Sequence, residues 1–182
     1  MARDTLSRSL HDVGLAAWFG GTLANAVALN PAAAQAGSST HRGAVANTGW
    51  DRWTPVNGAA IGAHLLGSVG QLLGNKGRVA GQQGVASMAL AKTGLTAVAL
   101  GATAYSRALG RQVSEETHMP AASGTKPEVG TPPPVASAQK RLRLLQWVVP
   151  ALTGTLVVVS SLAGEQQRAA EAHKGLLKRL TP

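Results

Sequence analysis

The sequence predicts an all-α integral membrane protein: an antiparallel bundle of about four transmembrane helices, joined by polar connectors and one disordered Pro-rich linker. Three observations predict it. Four mostly apolar segments recur along 182 residues, each close to the length that crosses a bilayer. The apolar mass is Ala, Leu and Val, with 3% aromatic residues and therefore few of the bulky fillers of a water-soluble core. There are 22 Gly, and small residues let helix backbones approach closely in lipid, where the hydrophobic drive between helices is absent.

The first segment, Val13 to Leu29, carries no charge over 17 residues and follows Arg3 and Arg8. Pro31 and the small polar run through Thr40 are expected to end this helix. An Ala-x-Ala site ending at Ala36 also gives residues 1–36 the outline of a cleavable signal peptide, an alternative to a retained span. A connector then runs to Pro55, with Trp50 and Trp53 in GWDRWTP read as interfacial anchors.

The second span is Val56 to Leu73. Gly58 with Gly62, and Gly70 with Gly74, are small residues four apart that fall on one helix face and open a packing groove. The turn Asn75-Lys76-Gly77-Arg78 makes the next helix an antiparallel neighbour. The third span lies within Val79 to Leu109, and because Thr93 to Tyr105 is too short alone, it must place Lys92 inside the membrane. Residues 1–113 thus hold three spans. Residues 114–139, with Pro-Pro-Pro and few apolar side chains, are expected to form the flexible linker. Residues 140–182 supply the fourth span, Leu144 to Ala163 with Pro150 inside it, and a basic amphipathic tail suited to anionic headgroups.

Charge and composition narrow the function. Net charge +9 arises from cations that flank apolar segments without aromatic interleaving, a pattern of membrane flanks and not of a nucleic-acid surface. With four spans the basic residues divide eight against eight between the two sides, so the charge rule assigns no orientation. The absence of Cys removes disulfides, thiolate metal sites and cysteine nucleophiles. No Gly-x-Ser-x-Gly element is present, and GNKGRVAG lacks the strand, helix and Lys-Ser/Thr pair of a phosphate loop. Arg exceeds Lys eleven to six, and Ala and Gly abound, as in a GC-rich bacterium, which suggests a bacterial plasma membrane.

The topology gathers one set of polar residues. Asp12, Lys92 and Glu165 fall in the same half of the bilayer, with His11 nearby and His64 nearer mid-depth. A charge at the centre of a membrane helix costs roughly 2.5–3.5 kcal/mol on insertion scales, so Lys92 must face other helices or snorkel outward. The cluster Asp12, His64, Lys92 and Glu165, with His11, is therefore the candidate polar site, and snorkelling with interfacial carboxylates is the structural alternative. No metal site and no cofactor are expected, since two His on separate spans make at most a partial ligand set.

The segment HDVGLAAWFGG resembles the opening span of small bacterial four-helix membrane families, copper-resistance-type ones among them, in which His precedes Trp-x-Gly-Gly. The resemblance covers one span in four, and the Met and His ligands that it would require elsewhere are missing, so no residue role is carried over. The expected function is a non-catalytic accessory, scaffolding or assembly subunit of a larger membrane complex, partnered by other membrane proteins. The alternative is a small transporter or channel that uses the polar cluster.

Overall fold

The computed structural model describes residues 4–77, 85–115 and 120–180, and side chains as far as residue 164. The described residues are helical except for one small hairpin and short turns. Helix α1 (Thr5–Ala24) runs through a π-helical stretch (Asn25–Leu29) into the short α2 (Asn30–Ala33). Pro31 thus does not end the first helix. A proline ring clashes with the carbonyl four residues earlier, and the wider π turn just before it relieves that clash.

Helix α3 spans Ser39–Gly74, with the Ser38 side chain accepting a hydrogen bond from the His41 N–H as its N-cap. Its first half occupies the stretch expected as a connector, and Pro55 lies inside the helix. This half is helical because it packs. Ala46 is buried, the Trp53 ring lies against Gly21, and Leu29 fills the space beside Gly49. Trp50 and Trp53 are therefore turned toward α1 and α2 and are not free interfacial anchors: Trp50 Nε1 donates to Asn30 Oδ1 at 3.3 Å.

Helix α4 is Val85–Ser114 and α5 is Pro133–Leu180. Between them lies the region expected as a disordered linker, and its described part is folded. Strands β1 (Ala121–Ser123) and β2 (Lys126–Pro127) pair antiparallel, and Gly124 comes within 3.0 Å, at its Cβ position, of Asn30 Oδ1. Arg42 pairs with Glu128 at 3.6 Å, and Thr131 Oγ1 donates to the Pro120 carbonyl at 2.7 Å. The prolines at 133 and 134 open α5, where a fixed φ suits the first turn and the missing N–H is not needed. Composition read this stretch as disordered; its anchors are contacts with α2 and α3, which composition does not record.

Paired residues fix the arrangement. Gly14 meets Ala60 and His64, Gly67 meets Ser7 and His11, and Gly74 meets Asp4, so α1 and α3 run antiparallel along their length. Helix α1 also packs on α5, with Phe19 against Gly154, and α4 packs on α5. The main core joins Leu15 and Trp18 of α1, Ala99 of α4 and Leu156 of α5; a second joins Leu109 and Val113 to Val135 and Ala138. Helix α4 reaches α1 by the Lys92 and Trp18 side chains, and it scarcely touches α3.

Among the described residues, three helices are long and apolar enough to cross a membrane: Thr5–Ala33, Val85–Ser114 and Pro133–Gly164. Helix α3, which contains the segment Val56 to Leu73 read as the second span, is long enough but stands outside this group. Arg42, Asp51 and Arg52 load its first half, and Asn57, His64, Ser68 and Gln71 dilute the second.

Candidate functional site

The α1–α3 crossing builds the site. Gly14 and Gly67 have no side chain to hold the helices apart: a Cβ at Gly14 would meet the Ala60 carbonyl and the His64 N–H, and one at Gly67 would meet the Ser7 carbonyl and the His11 N–H. Around that contact, His11 and His64 are each almost fully buried, at 2% and 1% exposure, and their ring centroids lie 4.5 Å apart.

The His11 ring lies between a carboxylate and an ammonium. Asp12 Oδ1 lies 2.7 Å from His11 Nδ1, and Lys92 Nζ lies 3.3 Å from His11 Nε2. A carboxylate accepts and an ammonium donates, so the network places the His11 proton on Nδ1 and leaves Nε2 to accept from Lys92. His64 Nδ1 faces the His11 carbonyl at 3.4 Å and takes the donor role there, while its Nε2 is buried and has no partner among the described residues. One helical turn or two further along, Trp18 packs 6.1 Å from His64 and donates through Nε1 to Thr103 Oγ1 at 3.2 Å.

The sequence-predicted cluster is thus assembled in part. Asp12, His64 and Lys92 converge on His11, from α1, α3 and α4. Glu165 lies on α5, and its side chain is outside the described residues. Asp12 is 62% exposed, so the chain Asp12–His11–Lys92 leads from an open carboxylate to a half-buried ammonium. Lys92 is turned inward to His11. Such an arrangement has the donors and acceptors to pass a proton along its length, and it also ties three helices at one level. Among the described residues no group of three or more His, Cys, Asp or Glu is placed to hold a metal ion.

The predicted glycine pairs divide. Gly70 and Gly74 face Ser7 and Asp4 at the α1–α3 contact, whereas a Cβ at Gly58 or Gly62 meets nothing within 4 Å. The glycines that set the crossing, Gly14 and Gly67, were not singled out by spacing, because their partners lie on another helix.

A second polar knot escaped sequence reasoning. Asn30, 4% exposed, donates to Gln146 Oε1 at 2.8 Å and accepts from Trp50, joining α2, α3 and α5. The available signal was an Asn at the end of an apolar span, where a buried amide needs partners. Beside this knot is a cavity of about 300 Å³ between α3 and α4, bordered by the hairpin and α5. Comparison of the chain with protein-family models, with curated proteins and with solved structures gives no match.

Proposed function

We propose that this chain is a non-catalytic multi-pass membrane protein that serves as an accessory, scaffolding or assembly subunit of a larger bacterial membrane complex, with α3 crossing beside the three apolar helices as the fourth span of an antiparallel bundle. The observation that carries this reading is the packing of α4. Only 6% of its most apolar stretch is buried within the chain, against 33% for the first helix. Its exposed residues include Gly94, Ala97, Gly101 and Ala108, spaced by three, four and seven so that they share one face. A Cβ at Gly94 or Gly101 meets nothing within 4 Å, which leaves that face open to a helix of a partner subunit. In this reading the Asp12–His11–Lys92 contacts hold α1 and α4 in place, and the basic tail lies on anionic headgroups.

Native purification in mild detergent, followed by mass spectrometry, tests this. An accessory subunit comes out in fixed ratio with larger membrane proteins, and a Gly101→Leu variant loses them while keeping its helical content. The chain has no Cys, so the single thiol of Ala97→Cys can be labelled with a benzophenone maleimide, which should photo-cross-link to the partner. Recovery of the chain alone, with Gly101→Leu silent, sinks the proposal.

A second reading, a small transporter or channel, is favoured by one observation: an exposed Asp12 leads through buried His11 to Lys92. In that case the chain purifies alone or as a homo-oligomer, and Lys92→Met abolishes flux in proteoliposomes.

A further inference from the structure

Helices α4 and α5 share an end rich in cations. Leu109 and Val113 pack on Val135 and Ala138, so the last turns of α4 lie beside the first turns of α5. Arg107 and Arg111 stand there on α4, and Lys140, Arg141 and Arg143 on α5. All five lie at the margins of apolar stretches, just after residues 93–105 and just before residues 144–163. Tyr105 and Trp147, 44% and 50% exposed, occupy the same margins. Amphipathic rings favour the depth where hydrocarbon meets headgroups, so the two aromatics mark the membrane surface on both helices.

These cations are not equally engaged. Arg107 is paired with Asp51 of α3 at 3.1 Å. Among the described residues no carboxylate pairs with Arg111, Lys140, Arg141 or Arg143. Arg141 is exposed, and its Nη1 donates to the Tyr105 hydroxyl at 2.8 Å, across the helix pair. The hydroxyl accepts in that bond and keeps its own proton to donate, while the guanidinium retains further N–H groups. Donors from two helices therefore converge beside one exposed positive charge. A phosphate oxygen pair suits such a fork, because hydrogen bonds from a guanidinium to phosphate are charge-assisted and directional.

We propose that Arg141 and the Tyr105 hydroxyl bind the phosphate of an anionic phospholipid, whose acyl chains lie along the exposed Leu144 and Val158 of α5. The lipid is anionic and not zwitterionic because a headgroup ammonium would add positive charge to an end that already holds Arg111, Lys140 and Arg143. The site rests on α4 and α5 crossing a bilayer, and it is the same for an accessory subunit and for a transporter.

The test places the full chain in phosphatidylcholine vesicles and follows spin-labelled phosphatidylglycerol and spin-labelled phosphatidylcholine by electron paramagnetic resonance. Phosphatidylglycerol should be restricted by the protein about fivefold more strongly, the size expected of one cation at an anionic headgroup. Arg141→Gln should remove that preference, and Tyr105→Phe should weaken it about twofold, the size of one hydrogen bond. Lys140→Gln, one residue away but on another side of α5, should change it less than Arg141→Gln does. The number of restricted lipids per chain should be the same in all variants, because the perimeter of the bundle is untouched. Equal association of the two lipids, or equal losses with Arg141→Gln and Lys140→Gln, overturns the site. Excess soluble glycerophosphate that abolishes the preference overturns the lipid as its ligand in favour of a free phosphate. A chain that alkaline carbonate strips from the vesicles overturns the membrane reading, and the site with it.

Discussion

Two contacts of α3 stand in opposition. Toward α1 it is closed: backbones meet at Gly14 and Gly67, the side chains of His11 and His64 are excluded from solvent, and the partners continue from Gly74 to Gly49. Toward α4 it is open: glycines 58 and 110 have no neighbour at the Cβ position, and a cavity of about 300 Å³ lies between the two helices. The same residue type serves both sides. What distinguishes them is whether another backbone occupies the space that a Cβ would fill, so glycine content shows where helices can approach and not where they do.

The largest expected effect breaks the closed side. Gly67→Leu sets a side chain against the Ser7 carbonyl and the His11 N–H, atoms that cannot swing away, and should prevent α1 from pairing with α3. Size-exclusion profile and the thermal transition in detergent, followed by circular dichroism, would show a non-native species. A native transition at the parental temperature would mean that the crossing is not as close as described.

Next in size is Trp18→Ala. Trp18 is fully buried where α1, α4 and α5 meet, and it carries the hydrogen bond to Thr103. The loss should be about 3 kcal/mol, the low end for an aromatic truncated in a core, because a micelle interior lacks the full hydrophobic penalty of water. Equilibrium unfolding in mixed micelles measures it.

The polar contact at the head of the closed side should contribute less. A double-mutant cycle between His11→Ala and Lys92→Met should give a coupling of about 1 kcal/mol, since the two groups share a hydrogen bond at 3.3 Å. Additivity within about 0.3 kcal/mol would mean that Lys92 does not reach His11.

The smallest effects belong to the open side and the hairpin. Gly62→Leu should shift stability by no more than about 0.5 kcal/mol, as nothing lies near its Cβ position. The Arg42–Glu128 pair, with both side chains about one-third exposed, should contribute roughly 0.5 kcal/mol in a cycle with Arg42→Gln and Glu128→Gln.

Much of this was legible from the chain alone. Apolar length placed three helices that can cross a membrane and located Lys92 in one of them, because hydropathy is additive along a segment and needs no partner. Topological depth also brought Asp12, His64 and Lys92 to one region. The connector around Trp50 and the linker around Ser123 were misread because their order comes from contacts with other elements: Trp53 on Gly21, Gly124 on Asn30, Arg42 on Glu128.

By itself, then, the sequence determined the helical class and the apolar segments, and it left Lys92 either facing other helices or snorkelling outward. Tertiary structure decided which glycines are contacts and which border a void, gave Lys92 His11 as a partner, and carried α3 through Pro55. The physical reason is the range of the forces. Hydropathy and helix propensity act along one segment, whereas close packing and buried hydrogen bonds exist only once a second segment has arrived.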